Sequence, residues 1–129
     1  MKVREIASGL QFPEGPVAMD DGSVLLVEIA RGTLTRVTRE GRVQVVADLG
    51  GGPNGAAIGP DGLVYVCNNG GFHFHTEADG TLRPVLQARD YSGGRIERVS
   101  LATGRFERLL DTVDGRPLKG PNDIVFDRD

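Results

Sequence analysis

The sequence predicts an all-β fold, a β-propeller of which this chain holds about two blades and the first strand of a third. Three observations predict it. The turn Asp21-Gly22 recurs 40 residues later as Asp61-Gly62, and the same spacing sets Glu14 over Asn54, Gly15 over Gly55, Val17 over Ala57 and Val24 over Val64. A second spacing, of 68 residues, sets Asn54 over Asn122, Ile58 over Phe126 and Asp61 over Asp129. Between these marks lie short apolar runs closed by turn residues, with no sustained helical periodicity. An oxygen-bearing polar residue, an apolar run and an acidic turn thus appear three times. Repeats of about 40 residues with four strands each mark propeller blades. Equivalent positions of the blades face one central channel, so Glu14, Asn54 and Asn122 are expected to converge on it as carboxylate, amide and amide.

Taken in order, residues 3–7 read as a short strand able to join the last blade of a closed ring. Blade one, about 14–48, starts with the inner strand Val17-Ala18-Met19 after Glu14, and Asp20-Asp21-Gly22-Ser23 supplies a hairpin turn. Val24 to Ile29 is almost continuously apolar, as suits a strand covered on both faces. Thr33 to Val37 and Val43 to Ala47 complete the blade, the last strand being polar enough for an outer edge. Blade two, about 54–112, begins at Gly55 and continues with Leu63 to Asn68. The chain then departs from the repeat over an insertion, 72–91, before Arg95 to Val99 and Phe106 to Asp111 resume it. The insertion suits either a lid or specificity loop or a solvated hairpin. Residues 113–120 form a loop that delivers the chain to blade three, 122–129.

Composition narrows the function. A closed ring of six blades needs roughly 250 residues, so these 129 residues are expected to be part of a longer propeller. A net charge of −3 with interspersed Arg and Glu excludes the basic footprint of a nucleic-acid partner. No apolar stretch is long enough for a signal peptide or a membrane span, so no membrane association and a cytoplasmic location are expected. The single cysteine, Cys67, excludes an internal disulfide framework and sits in an apolar strand as a small hydrophobe.

Glu14, Asn54 and Asn122 offer hard oxygen donors of the kind Ca²⁺ and Mg²⁺ prefer. Such a cation, with open positions, polarises a carbonyl and activates water. Glu-Gly-Pro and Gly-Pro-Asn also form turns without any metal, but the three-fold register favours a shared site. His73 and His75 alternate with Phe72 and Phe74, so both imidazoles share one face of a strand. That face fits a lid contact to substrate or plain solvent exposure; zinc would need a third ligand that the sequence does not show. Asn68 and Asn69 suit either the channel mouth or a turn, and Asp123 either a bond to the site or a backbone cap.

Phe12-Pro13-Glu14-Gly15-Pro16, Pro53-Asn54-Gly55, Gly94 to Val99 with Ala102-Thr103-Gly104, and Gly120-Pro121-Asn122-Asp123 together resemble the SMP-30/gluconolactonase/regucalcin family across essentially the whole chain. The resemblance implies a six-bladed propeller that hydrolyses lactones with one divalent ion, Ca²⁺ foremost and Mg²⁺, Mn²⁺ or Zn²⁺ as alternatives. By the same resemblance Glu14 and Asn122 match metal ligands, and Asn54 matches a polar residue near metal and substrate. His73 and His75 join Asn54 as substrate-contact candidates. The family's remaining ligand, an aspartate that doubles as general base, is expected beyond residue 129, so the chain by itself is expected to be inactive. Gly52 stands where relatives that act on sugar lactones carry a substrate-binding arginine, which argues against a gluconate-type lactone within the lactone class. The reading from another class is a non-catalytic propeller whose axial cation, calcium for instance, only ties the blades together.

Overall fold

Apolar runs closed by Asp-Gly turns fold into two antiparallel four-stranded meanders, each a propeller blade. The computed structural model describes residues 1–127. In the first blade β1 (Pro13–Ala18), β2 (Val24–Glu28), β3 (Thr33–Val37) and β4 (Val43–Asp48) pair in chain order. The second begins with β5 (Pro53–Ile58) and β6 (Val64–Asn68). The separate hairpin β7 (Phe72–Thr76) and β8 (Leu82–Gln87) follows, and β9 (Arg95–Val99) and β10 (Phe106–Leu110) then complete the sheet. The insertion is therefore a hairpin placed between the second and third strands of its blade. No helix of the described residues is long and apolar enough to cross a membrane.

The core lies between the blades. Leu25, Val27, Leu34 and Ala47 of the first sheet meet Ala56, Val64, Val66 and Val99 of the second, with Leu49 of the connection among them. Burying each larger side chain contributes about 1.5–3 kcal/mol, so this interface fixes the inner strands β1 and β5 side by side. The approach is close enough to demand glycine. A Cβ on Gly15, whose φ is +55°, would stand 2.9 Å from the Ala56 nitrogen and 3.0 Å from the Gly55 Cα. A Cβ on Gly55 would stand 2.5 Å from the Asn122 carbonyl oxygen and 2.8 Å from the Asp123 Cα. Equivalent positions of the three repeats are thus stacked backbone to backbone.

Each inner strand also breaks register at its polar residue. The β1–β2 ladder shifts between Glu14 and Val17, and the β5–β6 ladder shifts between Pro53 and Gly55, leaving Asn54 opposite no ladder partner. A bulge bends the strand and re-aims the residue that carries it.

Two buried polar clusters at matching places hold the loops that lead into these strands. In the first blade Glu28, fully buried, accepts from the Thr35 hydroxyl at 2.7 Å, the Gln11 N–H at 2.6 Å and Arg31 Nε at 3.0 Å. In the second blade Asn68 takes the place of Glu28, and the carboxylate moves across the ladder to Glu97. Asn68 Oδ1 accepts from the Gly52 and Gly70 N–H groups, and its Nδ2 donates to the Gly50 carbonyl at 2.9 Å and Glu97 Oε2 at 3.0 Å. Arg95 Nε donates to Glu97 Oε1 at 2.5 Å, and its Nη2 donates to the Leu49 carbonyl at 3.0 Å. A buried carboxylate is tolerated where such donors surround it. The clusters also hold the segments leading to Glu14 and Asn54, through the Gln11 N–H in the first and the Gly52 N–H and the Leu49 and Gly50 carbonyls in the second.

Two expected strands do not form. Residues 3–7 enter no ladder; they cross the first blade, where the Ile6 carbonyl fills the space beside Gly41. Residues 119–127 also form no strand, and residues 128 and 129 of the expected third-blade strand lie outside the described residues. A strand needs an edge that supplies ladder hydrogen bonds as well as an apolar pattern, and neither segment has one among the described residues. The 122–127 segment is held by side chains instead, with Phe126 edge-on to Tyr65 at 4.9 Å between ring centroids. The expected loop at 113–120 contains a two-residue-per-strand hairpin, β11 (Thr112–Val113) with β12 (Arg116–Pro117).

Candidate functional site

The bulged end of β5, the 119–122 segment and the inserted hairpin enclose a cavity of about 420 Å³, within the range of small-molecule sites. Asn54, Asn69 and Asn122 line it together. The hairpin supplies an apolar wall that includes Phe72, Val85 and Leu86. On the remaining side the Tyr91 hydroxyl donates to the Lys119 carbonyl at 2.5 Å and holds the loop in place.

The repeat-equivalent residues are not all placed alike. Asn54 and Asn122 share the cavity. Glu14 stands on the neighbouring strand β1, exposed and outside the cavity lining, beside the Gly15–Gly55 contact. Its carboxylate makes no hydrogen bond or ion pair among the described residues. His73 and His75 are exposed on β7 and stand outside the lining, while Phe72 of the same strand enters it. His75 Nε2 has Glu77 Oε2 for company at 3.8 Å. Asp123 caps the backbone: its Oδ1 accepts the Ile124 N–H at 2.9 Å.

The asparagine pair left open by the sequence divides cleanly. Asn68 is the buried clamp described above. Asn69 lines the cavity, 7% exposed, with its Oδ1 accepting the Gly71 N–H at 2.8 Å. Its Nδ2 is buried and without a partner among the described residues. Gly52 lies under it: a Cβ there would stand 2.3 Å from Asn69 Oδ1 and 2.8 Å from the Gly71 Cα. No side chain fits at position 52 while Asn69 keeps this place, which accounts physically for the glycine. Sequence reading left Asn69 between the channel mouth and a turn; the signal was an Asn-Asn pair ending an apolar strand just before Gly70-Gly71.

Among the described residues no three His, Cys, Asp or Glu side chains come together as a metal-holding group. The residues that the repeats align, Glu14, Asn54 and Asn122, carry oxygen donors, and of these Asn54 and Asn122 share the cavity. Oxygen donors of this kind are those a hard ion such as Ca²⁺ or Mg²⁺ takes.

Cys67 lies beneath this end of the blade, 2% exposed, with Sγ donating to the Asp123 carbonyl at 3.4 Å. Burial first and the Asp123 carboxylate second push its thiol from 9.0 up to about 11, so at neutral pH it is a protonated hydrophobe and no nucleophile. Native protein should resist iodoacetamide at pH 8 while the urea-unfolded chain reacts. Below pH 9 both states hold the proton and the contribution to stability is intact. From pH 9 through 11 only the unfolded chain releases it, so stability should fall across that window. Rapid labelling of the native state would contradict the assignment.

Residues 12–129 match the SMP-30/Gluconolactonase/LRE-like region. A gluconolactonase of Zymomonas mobilis subsp. mobilis is similar at 25% identity over 140 aligned residues, which cover 98% of this chain and 33% of that protein. The chain thus spans about a third of the length of this curated relative. With a family match over nearly its whole length, on two propeller blades, the chain belongs to the SMP-30/gluconolactonase/LRE-like family.

Proposed function

We propose that the chain forms two blades of a divalent-cation-dependent lactone hydrolase and carries part of its cation site and substrate pocket. The observation that carries the reading is the stacking of the three repeat-equivalent backbones at Gly15, Gly55 and Asp123. It places Glu14, Asn54 and Asn122 on neighbouring segments, and two of the three line one small-molecule cavity. The gluconolactonase name of the relative supports the same reaction class.

In this reading Glu14 and Asn122 hold the cation through a carboxylate and an amide oxygen, with Ca²⁺ the best match to such donors. When bound, it supplies Lewis acidity for the ester carbonyl and lowers the pKa of the attacking water. Asn54, free of the ladder at its bulge, orients the ester. The β7–β8 hairpin walls the pocket and keeps bulk water from the bound ring. Deprotonation of the attacking water belongs to a residue outside 1–129. The substrate is a small lactone, with no nucleic acid or membrane involved and a cytoplasmic setting.

The test is chelation of the intact protein. Dialysis against EDTA should abolish hydrolysis of glucono-δ-lactone and δ-decalactone above the spontaneous rate, and Ca²⁺ should restore it. Undiminished turnover by metal-free protein would overturn the cation-dependent reading, and absence of turnover in both states would overturn the hydrolase reading.

A further inference from the structure

We infer that Asn69 is a substrate-binding residue, donating from Nδ2 to an oxygen of a cyclic ester whose apolar substituent lies against the β7–β8 hairpin. The identity of the ligand rests on the proposed hydrolase function; the role of Asn69 rests on its own geometry. The amide is fixed at both ends. Its backbone N–H donates to the Gly52 carbonyl at 2.8 Å, and Oδ1 accepts the Gly71 N–H at 2.8 Å. The second bond also settles which end is nitrogen, because a flipped amide would set two donors face to face. Nδ2 is then the free end, and it is buried without a partner in a residue that lines the cavity.

An unpaired buried donor costs free energy, and buried polar groups in native proteins are nearly always paired. A preorganised donor left unpaired beside a pocket is therefore matched by something that enters the pocket. The entering group must accept a hydrogen bond, as a ring, carbonyl or hydroxyl oxygen does. The same lining includes Phe72, Val85 and Leu86, which offer apolar surface, so a lactone with an alkyl or aryl substituent matches it better than a fully hydroxylated ring. The absence of a side chain at Gly52 points the same way: nothing charged reaches in from that position, and the Asn69 amide fills the space beside it.

The experiment uses the intact protein and two variants. Asn69→Asp keeps an acceptor for the Gly71 N–H and removes the donor, whereas Asn69→Ala removes both. With δ-decalactone, folded Asn69→Asp should lose about ten- to hundred-fold in kcat/KM, the scale set by loss of one hydrogen-bond donor. Its melting temperature should fall because a buried carboxylate replaces a neutral amide. Wild type should prefer δ-decalactone to glucono-δ-lactone. A second readout does not depend on turnover. In ¹⁵N-labelled protein the Asn69 side-chain amide signals, identified by their loss in Asn69→Asp, should shift on titration with δ-valerolactam, which carries the acceptor but is not turned over. Shifted signals in a protein that hydrolyses neither lactone would uphold the role of Asn69 while the hydrolase reading falls. Unmoved signals, or wild-type kcat/KM in Asn69→Asp, would show that Nδ2 is satisfied by water alone and overturn the inference. A preference for glucono-δ-lactone would overturn the ligand class.

Discussion

Glu97→Ala should destabilise the protein by about 3–5 kcal/mol, the cost of removing one partner from a buried charged pair. The large value follows from what the substitution strands. Arg95 is 7% exposed, and Glu97 is its only counter-charge among the described residues. Asn68 Nδ2 would lose one of its two acceptors at the same time. The guanidinium would remain buried with only the Leu49 and Gly50 carbonyls to solvate it. Glu97→Gln should fall between wild type and alanine, because it keeps an acceptor for Asn68 while giving up the charge. The first blade offers an internal control. Glu28 is as deeply buried, but its cationic partner Arg31 keeps about a third of its side chain in water, so Glu28→Gln should cost less than Glu97→Gln. Urea unfolding midpoints of the three variants test the ranking. A loss below about 1 kcal/mol for Glu97→Ala would mean that water already reaches Arg95 and that the cluster is not the clamp described here.

The same cluster shows where sequence reading succeeds and where it stops. Thr33 to Val37 and Arg95 to Val99 were legible to the residue, because a strand bounded by turns is a local pattern of apolar and turn-forming residues. The repeat was legible too, and with it the alignment of Glu14, Asn54 and Asn122. The pairing of Glu97 with Asn68 was not, since it joins side chains 29 residues apart across an insertion. Nor was the division of labour between Asn68 and Asn69, two identical residues in succession. Only the packing of β9 on one side and the cavity on the other tells the clamp from the open donor. The apolar patterns at 3–7 and 122–127 promised strands, but a strand also needs a neighbouring edge. His73 and His75 are exposed and outside the cavity lining, and which residues of the insertion reach the cavity depends on how the hairpin folds back.

Glu14→Ala should abolish most lactone hydrolysis while leaving the fold intact, and the second half of that statement gives the first its force. The side chain is exposed and makes no hydrogen bond or ion pair among the described residues, so its removal should change stability by no more than about 0.5 kcal/mol. The bulge that carries it is set by Gly15 and by the Glu28 cluster holding Gln11, and both remain. An exposed, unpaired carboxylate at a bulge between two blades contributes nothing visible to folding. Its proposed role is as the one anionic donor beside two neutral amide oxygens. Deleting it should therefore cost more than the ten- to hundred-fold that loss of an outer-shell partner costs at a metal site, on the order of hundred-fold or greater in kcat/KM. Calorimetric affinity for Ca²⁺ should fall in parallel. Glu14→Gln keeps an oxygen but not the charge and should recover little, because attraction between the cation and a formal charge is the term removed. Turnover and Ca²⁺ affinity at wild-type level in a stably folded Glu14→Ala protein would remove Glu14 from the site and leave the cavity with Asn54, Asn69 and Asn122 to bind a neutral ligand unaided.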